Sequence, residues 1–170
     1  MLKHHSDLTR ISQLQTAMNE GRFRLFGQRI QRLDNRAGND TGQFYEVLLR
    51  LMEDGHIVSP GAFLPVAARY GLSSMIDEWV MNESFKLLTT PRLANAQLSI
   101  NLTARTIDSP DFMRQLMEQI ARYKVNPRRI CFEVTENVAF ENLNRAVETM
   151  QRLNEKGFRF ALDDFGTGVA

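Results

Sequence analysis

The stretch Phe158-Arg-Phe-Ala-Leu-Asp-Asp-Phe-Gly-Thr-Gly168 is an apolar run with aromatic and branched residues that ends in two adjacent acids and then in glycines. The pattern predicts a buried strand that opens into a tight loop. Side chains alternate along a strand, so Arg159, Ala161 and Asp163 share one face and Phe160, Leu162 and Asp164 the other. Acids beside a glycine turn at the carboxyl end of a strand stand where α/β proteins hold metals and phosphates. An Asx-type turn, in which Asp163 and Asp164 only cap backbone amides, fits the same residues. The segments upstream decide between the two.

Three earlier runs repeat the design. Phe44-Tyr-Glu-Val-Leu-Leu-Arg50 is an apolar strand that carries Glu46 and Arg50 on one face. A surface ion pair is the plain explanation of those two, but both faces of the run are otherwise apolar, and a buried acid needs a partner. Gln97-Leu-Ser-Ile-Asn-Leu-Thr103 alternates strictly, with Ser99, Asn101 and Thr103 opposite Leu98, Ile100 and Leu102. A half-exposed antiparallel strand would show the same alternation. Ile130-Cys-Phe-Glu-Val-Thr-Glu136 puts Cys131, Glu133 and Thr135 on one face and Glu136 at its exit.

Between these runs the period changes to that of helices. Ser59-Pro60 to Arg69 and Ser74 to Leu88 read as helices, the second with Met75, Trp79 and Val80 on its inner face. Ser109-Pro110 to Tyr123 and Asn137 to Lys156 follow, the last with Leu143, Val147, Met150 and Leu153 inward and Gly157 as its stop. Phe23 to Leu33 reads as a strand paired with the Phe44 run through a polar turn. After this initial hairpin, strands and helices alternate, the signature of a parallel sheet with helices outside. Leu2, Leu8, Ile11, Leu14 and Met18 predict a leading helix that ends at Gly21. Its narrow stripe suits a linker to another domain equally well. Residues 1–21 are accordingly assigned to a leading or linker helix and 22–170 to the domain.

Composition narrows the function. The chain has 170 residues with 43% hydrophobic and 24% charged residues, ordinary for one globular domain. A net charge of +1 gives no reason to expect a nucleic-acid polymer or a membrane surface as partner. One cysteine, Cys131, excludes a disulfide framework and a thiolate metal site. His4 and His5 lack a third ligand nearby and read as solvated. The reading is of a cytoplasmic protein, any membrane anchor lying in segments outside this sequence.

Glu46, Asn101, Glu133 and Asp163 are thus single polar residues on four apolar strands, each placed toward the strand exit. Parallel neighbours would bring them to one mouth. Three carboxylates and an amide oxygen, with no His or Cys, suit a hard cation such as Mg²⁺ or Mn²⁺. Asp164 could help hold a second ion, and a two-metal site serves phosphodiester hydrolysis.

From Phe23 to Gly168 the chain resembles the EAL family of cyclic di-GMP phosphodiesterases. The signature triplet stands as Glu46-Val47-Leu48, followed by Leu49-Arg50. Gly55-His-Ile-Val-Ser-Pro-Gly-Ala-Phe63 matches a second motif with one residue of altered spacing. Ser99-Ile-Asn101, Glu133-Val-Thr-Glu136 and Asp163-Asp-Phe-Gly-Thr-Gly168 complete the series. Arg29, Leu51 and Ala68 depart from the family's usual Pro, Trp and acid.

The resemblance implies a (β/α)₈ TIM-like barrel, present here as an incomplete barrel with an initial antiparallel hairpin strand. It implies Glu46, Asn101, Glu133, Asp163 and Asp164 as metal ligands. Glu136 would steady the loop after Asp163-Asp164, and Gln28 and Arg50 would contact substrate. The implied activity is metal-dependent hydrolysis of cyclic di-GMP to linear pGpG in bacterial signalling, and the alternative is a non-catalytic cyclic di-GMP receptor. An upstream sensory or GGDEF-type domain and a homodimer of the complete domain are the implied partners. The later strands, which in the family carry a Lys, a Glu and a Gln of the site, do not occur in this sequence. The 170-residue chain alone is therefore expected to self-associate through open sheet edges and to leave cyclic di-GMP intact. Light scattering for mass and chromatography for linear product check this; a compact monomer with multiple turnovers would contradict it.

Overall fold

The computed structural model describes residues 2–31, 43–135 and 143–163. Strict alternation over Ala96–Asn101 produces β4, the centre of a six-stranded sheet ordered β1-β2-β4-β5-β6, with β3 paired to β2. β1 (Phe23–Ile30) runs antiparallel to β2 (Gln43–Glu53). β3 (His56–Val58) folds back antiparallel on the end of β2. From β2 onward the sheet is parallel: β2 to β4, β4 to β5 (Ile130–Thr135), and β5 to β6 (Arg159–Asp163). The polar row on β4 therefore belongs to a parallel strand, not to a half-exposed antiparallel one.

The helices lie between strands in chain order. α2 (Leu64–Arg69) and α3 (Ser73–Leu88) precede β4, α4 (Ala104–Ile107) and α5 (Phe112–Tyr123) precede β5, and α6 (Leu143–Glu155) precedes β6. One face of the sheet meets them. Leu98, Ile100, Ile130, Phe132 and Val134 are buried there with Ile76, Val80, Phe85, Leu116 and Leu153 from the helices. Phe132 is the hub: its ring centroid stands 5.4 Å from Phe158, 5.7 Å from Phe160 and 6.3 Å from Phe112. Burial of such rings contributes both apolar area and ring-pair contacts.

The amino-terminal helix α1 (Leu2–Asn19) joins this core through Leu14 and Ala17, both buried. Arg10 and Glu53 form an ion pair at 2.7 Å between α1 and the end of β2. At the amino-terminal edge of the sheet, the Arg129 guanidinium donates to the carbonyls of Ala96 at 2.8 Å, Leu88 at 3.2 Å and Leu93. One side chain thus ties the end of α3, the turn after it and the start of β4 to the start of β5.

Four sequence expectations change. The segment from Ser59 divides into a 3-10 turn at Pro60–Ala62 and the separate helix α2. The segment from Ser109 to Tyr123 is preceded by the extra helix α4. On α3 Val80 and the partly buried Trp79 face the core as expected, with Ile76 and Phe85 in place of the exposed Met75; on α6 Leu153 and the partly buried Met150 do so, with Ala146 and Thr149 in place of the exposed Val147, and the Leu143 side chain lies outside the described residues. In both helices the stripe is rotated by about one residue, because small and polar residues (Ser73, Ala146, Thr149) fill close approaches that a hydrophobicity count passes over. Gly157 has φ +100° as it ends α6, and a Cβ there would stand 3.2 Å from the Arg128 side chain. Both constraints favour glycine.

Phe132→Ala is expected to destabilise the chain by ~3–5 kcal/mol, and Val147→Ala by less than ~1 kcal/mol. Urea denaturation of the two variants checks the rotated assignment of α6 together with the hub.

Candidate functional site

Register decides which side chains meet. Gln28 pairs with Glu46, Glu46 with Ser99, Ser99 with Cys131 and Cys131 with Arg159, so these five form one row across the sheet. Two residues further along, Asn101 pairs with Glu133 and Glu133 with Ala161. Paired residues point the same way, and steps of two keep the face. Glu46, Asn101 and Glu133 therefore share the face opposite the helices. Asp163 stands two further steps along, in register with Thr135; its side chain, Asp164 and Glu136 lie outside the described residues.

Glu46 is not near the exit of its strand, as the apolar run suggested, but fourth of the 11 residues of β2. It meets the others because β4 begins alongside Gln43 and ends at Asn101, so the middle of β2 is level with the carboxyl end of β4.

β4 reaches to both sides. Asn101 Nδ2 donates to Glu46 Oε1 at 3.2 Å, and Ser99 Oγ donates to Glu133 Oε1. Each acid is held by a polar side chain of the strand between them. Asn101 is exposed, Glu46 and Glu133 are half-buried, and Ser99 is fully buried. Cys131, beside Ser99, is a buried free thiol whose pKa is pushed up by burial, against smaller opposing effects of its hydrogen bond with Ser99 and the Arg159 charge.

The Glu46 and Arg50 ion pair foreseen as the plain alternative is not formed. Arg50 donates to the Leu49 carbonyl at 2.7 Å and lies 5.7 Å from the centre of the exposed Phe26 ring. Gln28 is exposed opposite Glu46. Among the described residues no three acidic, histidine or cysteine side chains gather into a metal cage. The described donors are two carboxylates and one amide. All are hard oxygen donors of the type Mg²⁺ and Mn²⁺ take, and a cation held by them needs further ligands.

Asp77 is the polar residue that the sequence reading passed over. It lies on α3 and is 8% exposed. Its Oδ2 accepts from Thr103 N at 2.9 Å, Thr103 Oγ1 at 2.8 Å and Thr106 Oγ1 at 2.6 Å. A carboxylate from another helix thus caps the start of α4 and fixes the turn two residues after Asn101. Burial raises its pKa, and these hydrogen bonds offset part of the rise. Beside it, a cavity of about 690 Å³ runs from Pro60, Leu64 and Ala68 to Asn101 and Arg105.

The EAL domain family model matches residues 11–170. The chain belongs to the EAL domain family. It is 34% identical over 163 residues to the cyclic di-GMP phosphodiesterase PdeF of Escherichia coli strain K12, covering 94% of this chain and 21% of that protein. The crystal structure of the FimX EAL domain from Pseudomonas aeruginosa bound to c-di-GMP superposes with a TM-score of 0.82 at 30% identity, over 94% of this chain and 64% of that one. The PaMucR phosphodiesterase in complex with c-di-GMP gives a TM-score of 0.81 at 26% identity, over 95% and 66%. The chain thus spans about a fifth of that curated relative and about two thirds of the solved domains. The sheet is an incomplete barrel of the EAL type. No helix among the described residues is long and apolar enough to cross a membrane.

Asp77→Ala leaves three donors without their acceptor, and the chain is expected to lose ~2–4 kcal/mol of stability. A folded pKa above the unfolded one means that the folded state holds the Asp77 proton more tightly. The wild-type advantage over Asp77→Ala is then fully present below the unfolded value of 3.8 and shrinks as pH rises through the raised folded value. Thermal or urea unfolding of both proteins at ~pH 4 and ~pH 7 checks the sign.

Proposed function

We propose that this EAL domain belongs to a cyclic di-GMP phosphodiesterase that opens its substrate by metal-dependent hydrolysis. The observation that carries the reading is the meeting of Glu46, Asn101 and Glu133 on the helix-free face, within two rows of one another, in a family whose named relatives include cyclic di-GMP phosphodiesterases. In this reading Glu46, Asn101, Glu133 and Asp163 hold a first Mg²⁺ or Mn²⁺, Asp164 helps hold a second, and Glu136 steadies the loop after Asp163-Asp164. A bound divalent pair would supply an activated water and charge stabilisation at the phosphate. Water adds to phosphorus, the bond from phosphorus to the 3′ oxygen breaks, the leaving oxygen takes up a proton, and linear pGpG results.

Gln28 and Arg50 fit the substrate side of the same face. Gln28 stands exposed across from Glu46, and the Arg50 guanidinium is available to a phosphate at a site bordered by the Phe26 ring. The cavity that Asn101 borders gives a mainly apolar recess, suited to part of a flat nucleobase. We further infer a cytoplasmic domain, homodimeric when complete and controlled by a sensory or GGDEF-type domain in the rest of the protein.

The test uses the whole protein that carries this chain. It is expected to convert cyclic di-GMP to pGpG with Mg²⁺ or Mn²⁺ and to stop with chelator. Glu46→Ala is expected to lower turnover at least ~100-fold with little change in melting temperature. Full turnover by Glu46→Ala in chelator would overturn the assignment. Tight cyclic di-GMP binding without product would instead identify a receptor.

A further inference from the structure

We propose that Ser99 is a positioning residue for the Glu133 carboxylate, a role that rests on the metal-site reading above. Ser99 is 0% exposed, and its hydroxyl donates to Glu133 Oε1 from the neighbouring strand. The pairing is diagonal. Ser99 is in register with Cys131, two residues before Glu133, so the hydroxyl meets the carboxylate from the interior side of the row. Glutamate has several rotatable bonds, and on a half-buried face its carboxylate has many positions open to it. A donor fixed on one carboxylate oxygen restricts that choice.

The neighbours make the donor hard to replace. Cys131 lies on one side of Ser99 in the same row and Glu46 on the other, while Asn101, the next residue along this face of β4, is committed to Glu46. The Cys131 thiol, level with Ser99 on the neighbouring strand, is only a weak donor. Full burial of Ser99 also keeps solvent from taking its place. Loss of the hydroxyl therefore removes this buried donor from Glu133 at almost no cost in volume.

A buried serine that only satisfies its own hydroxyl would behave differently, and three variants of the whole protein that carries this chain separate the two. Mn²⁺ affinity is measured by electron paramagnetic resonance titration, and stability by thermal melting. Ser99→Ala is expected to weaken Mn²⁺ binding ~10–100-fold, the usual effect of removing a partner that orients a ligand, with little loss of stability. Ser99→Thr keeps the hydroxyl but adds a methyl group in a packed strand. It is expected to melt lower than Ser99→Ala yet to bind Mn²⁺ within ~3-fold of wild type. Glu133→Gln is expected to bind still more weakly than Ser99→Ala. Affinity that follows melting temperature across the serine variants overturns the proposal, as does unchanged affinity in Ser99→Ala while Glu133→Gln is impaired. A wild-type protein that takes up no Mn²⁺, or a Glu133→Gln protein that binds as well as wild type, overturns the metal-site reading and this proposal with it.

Discussion

The parallel pairing of β4 with β2 on one side and β5 on the other is the constraint from which the rest follows. Strand side chains alternate, so this register assigns Leu98 and Ile100 to the helices and Ser99 and Asn101 to the open face. A slip of one residue would bury the polar row under α3 and α5 and expose the apolar one. The core and the site are therefore specified together: packing of Ile100 and Phe132 against the helices also brings Glu46, Asn101 and Glu133 level.

That dependence explains what the sequence made legible. Alternation in 97–103 and 130–135 identifies the shared face, because period two is a property of the backbone and not of tertiary context. It also indicates that acids from separate strands can meet. Row and depth need the register: Glu46 lies in the middle of an 11-residue strand, and only the offset start of β4 brings it beside Asn101. The Phe26 and Arg50 contact was likewise out of reach, since it depends on which residues of β1 and β2 oppose each other.

Other features escaped for local reasons. The hairpin of β2 and β3 turns at Asp54 and Gly55, which have φ of 48° and 78°. An Asp-Gly pair is a strong hairpin signal, but β3 has three residues, too few to show alternation. Asp77 sits on a helix between Ile76 and Glu78, and its partners Thr103 and Thr106 lie 26 and 29 residues further along the sequence. No periodicity marks such a cap. The helical stripes of α3 and α6 shifted for a related reason: Ser73, Ala146 and Thr149 fill the contacts, and small residues carry little weight in a hydrophobic pattern.

The Arg129 fork has a consequence at the opposite end of the sheet from the carboxylates. By holding the carbonyls of Leu88, Leu93 and Ala96 together, it fastens the strand starts with polar bonds that no residue of the site takes part in. The domain has a foundation and a rim. Substitutions along the rim, such as at Ala68 beside the cavity, leave that foundation unaltered. Recognition can therefore diversify by steps on a scaffold whose footing stays fixed, and a single exchange of Arg129 would reach further through the fold than several exchanges around the site.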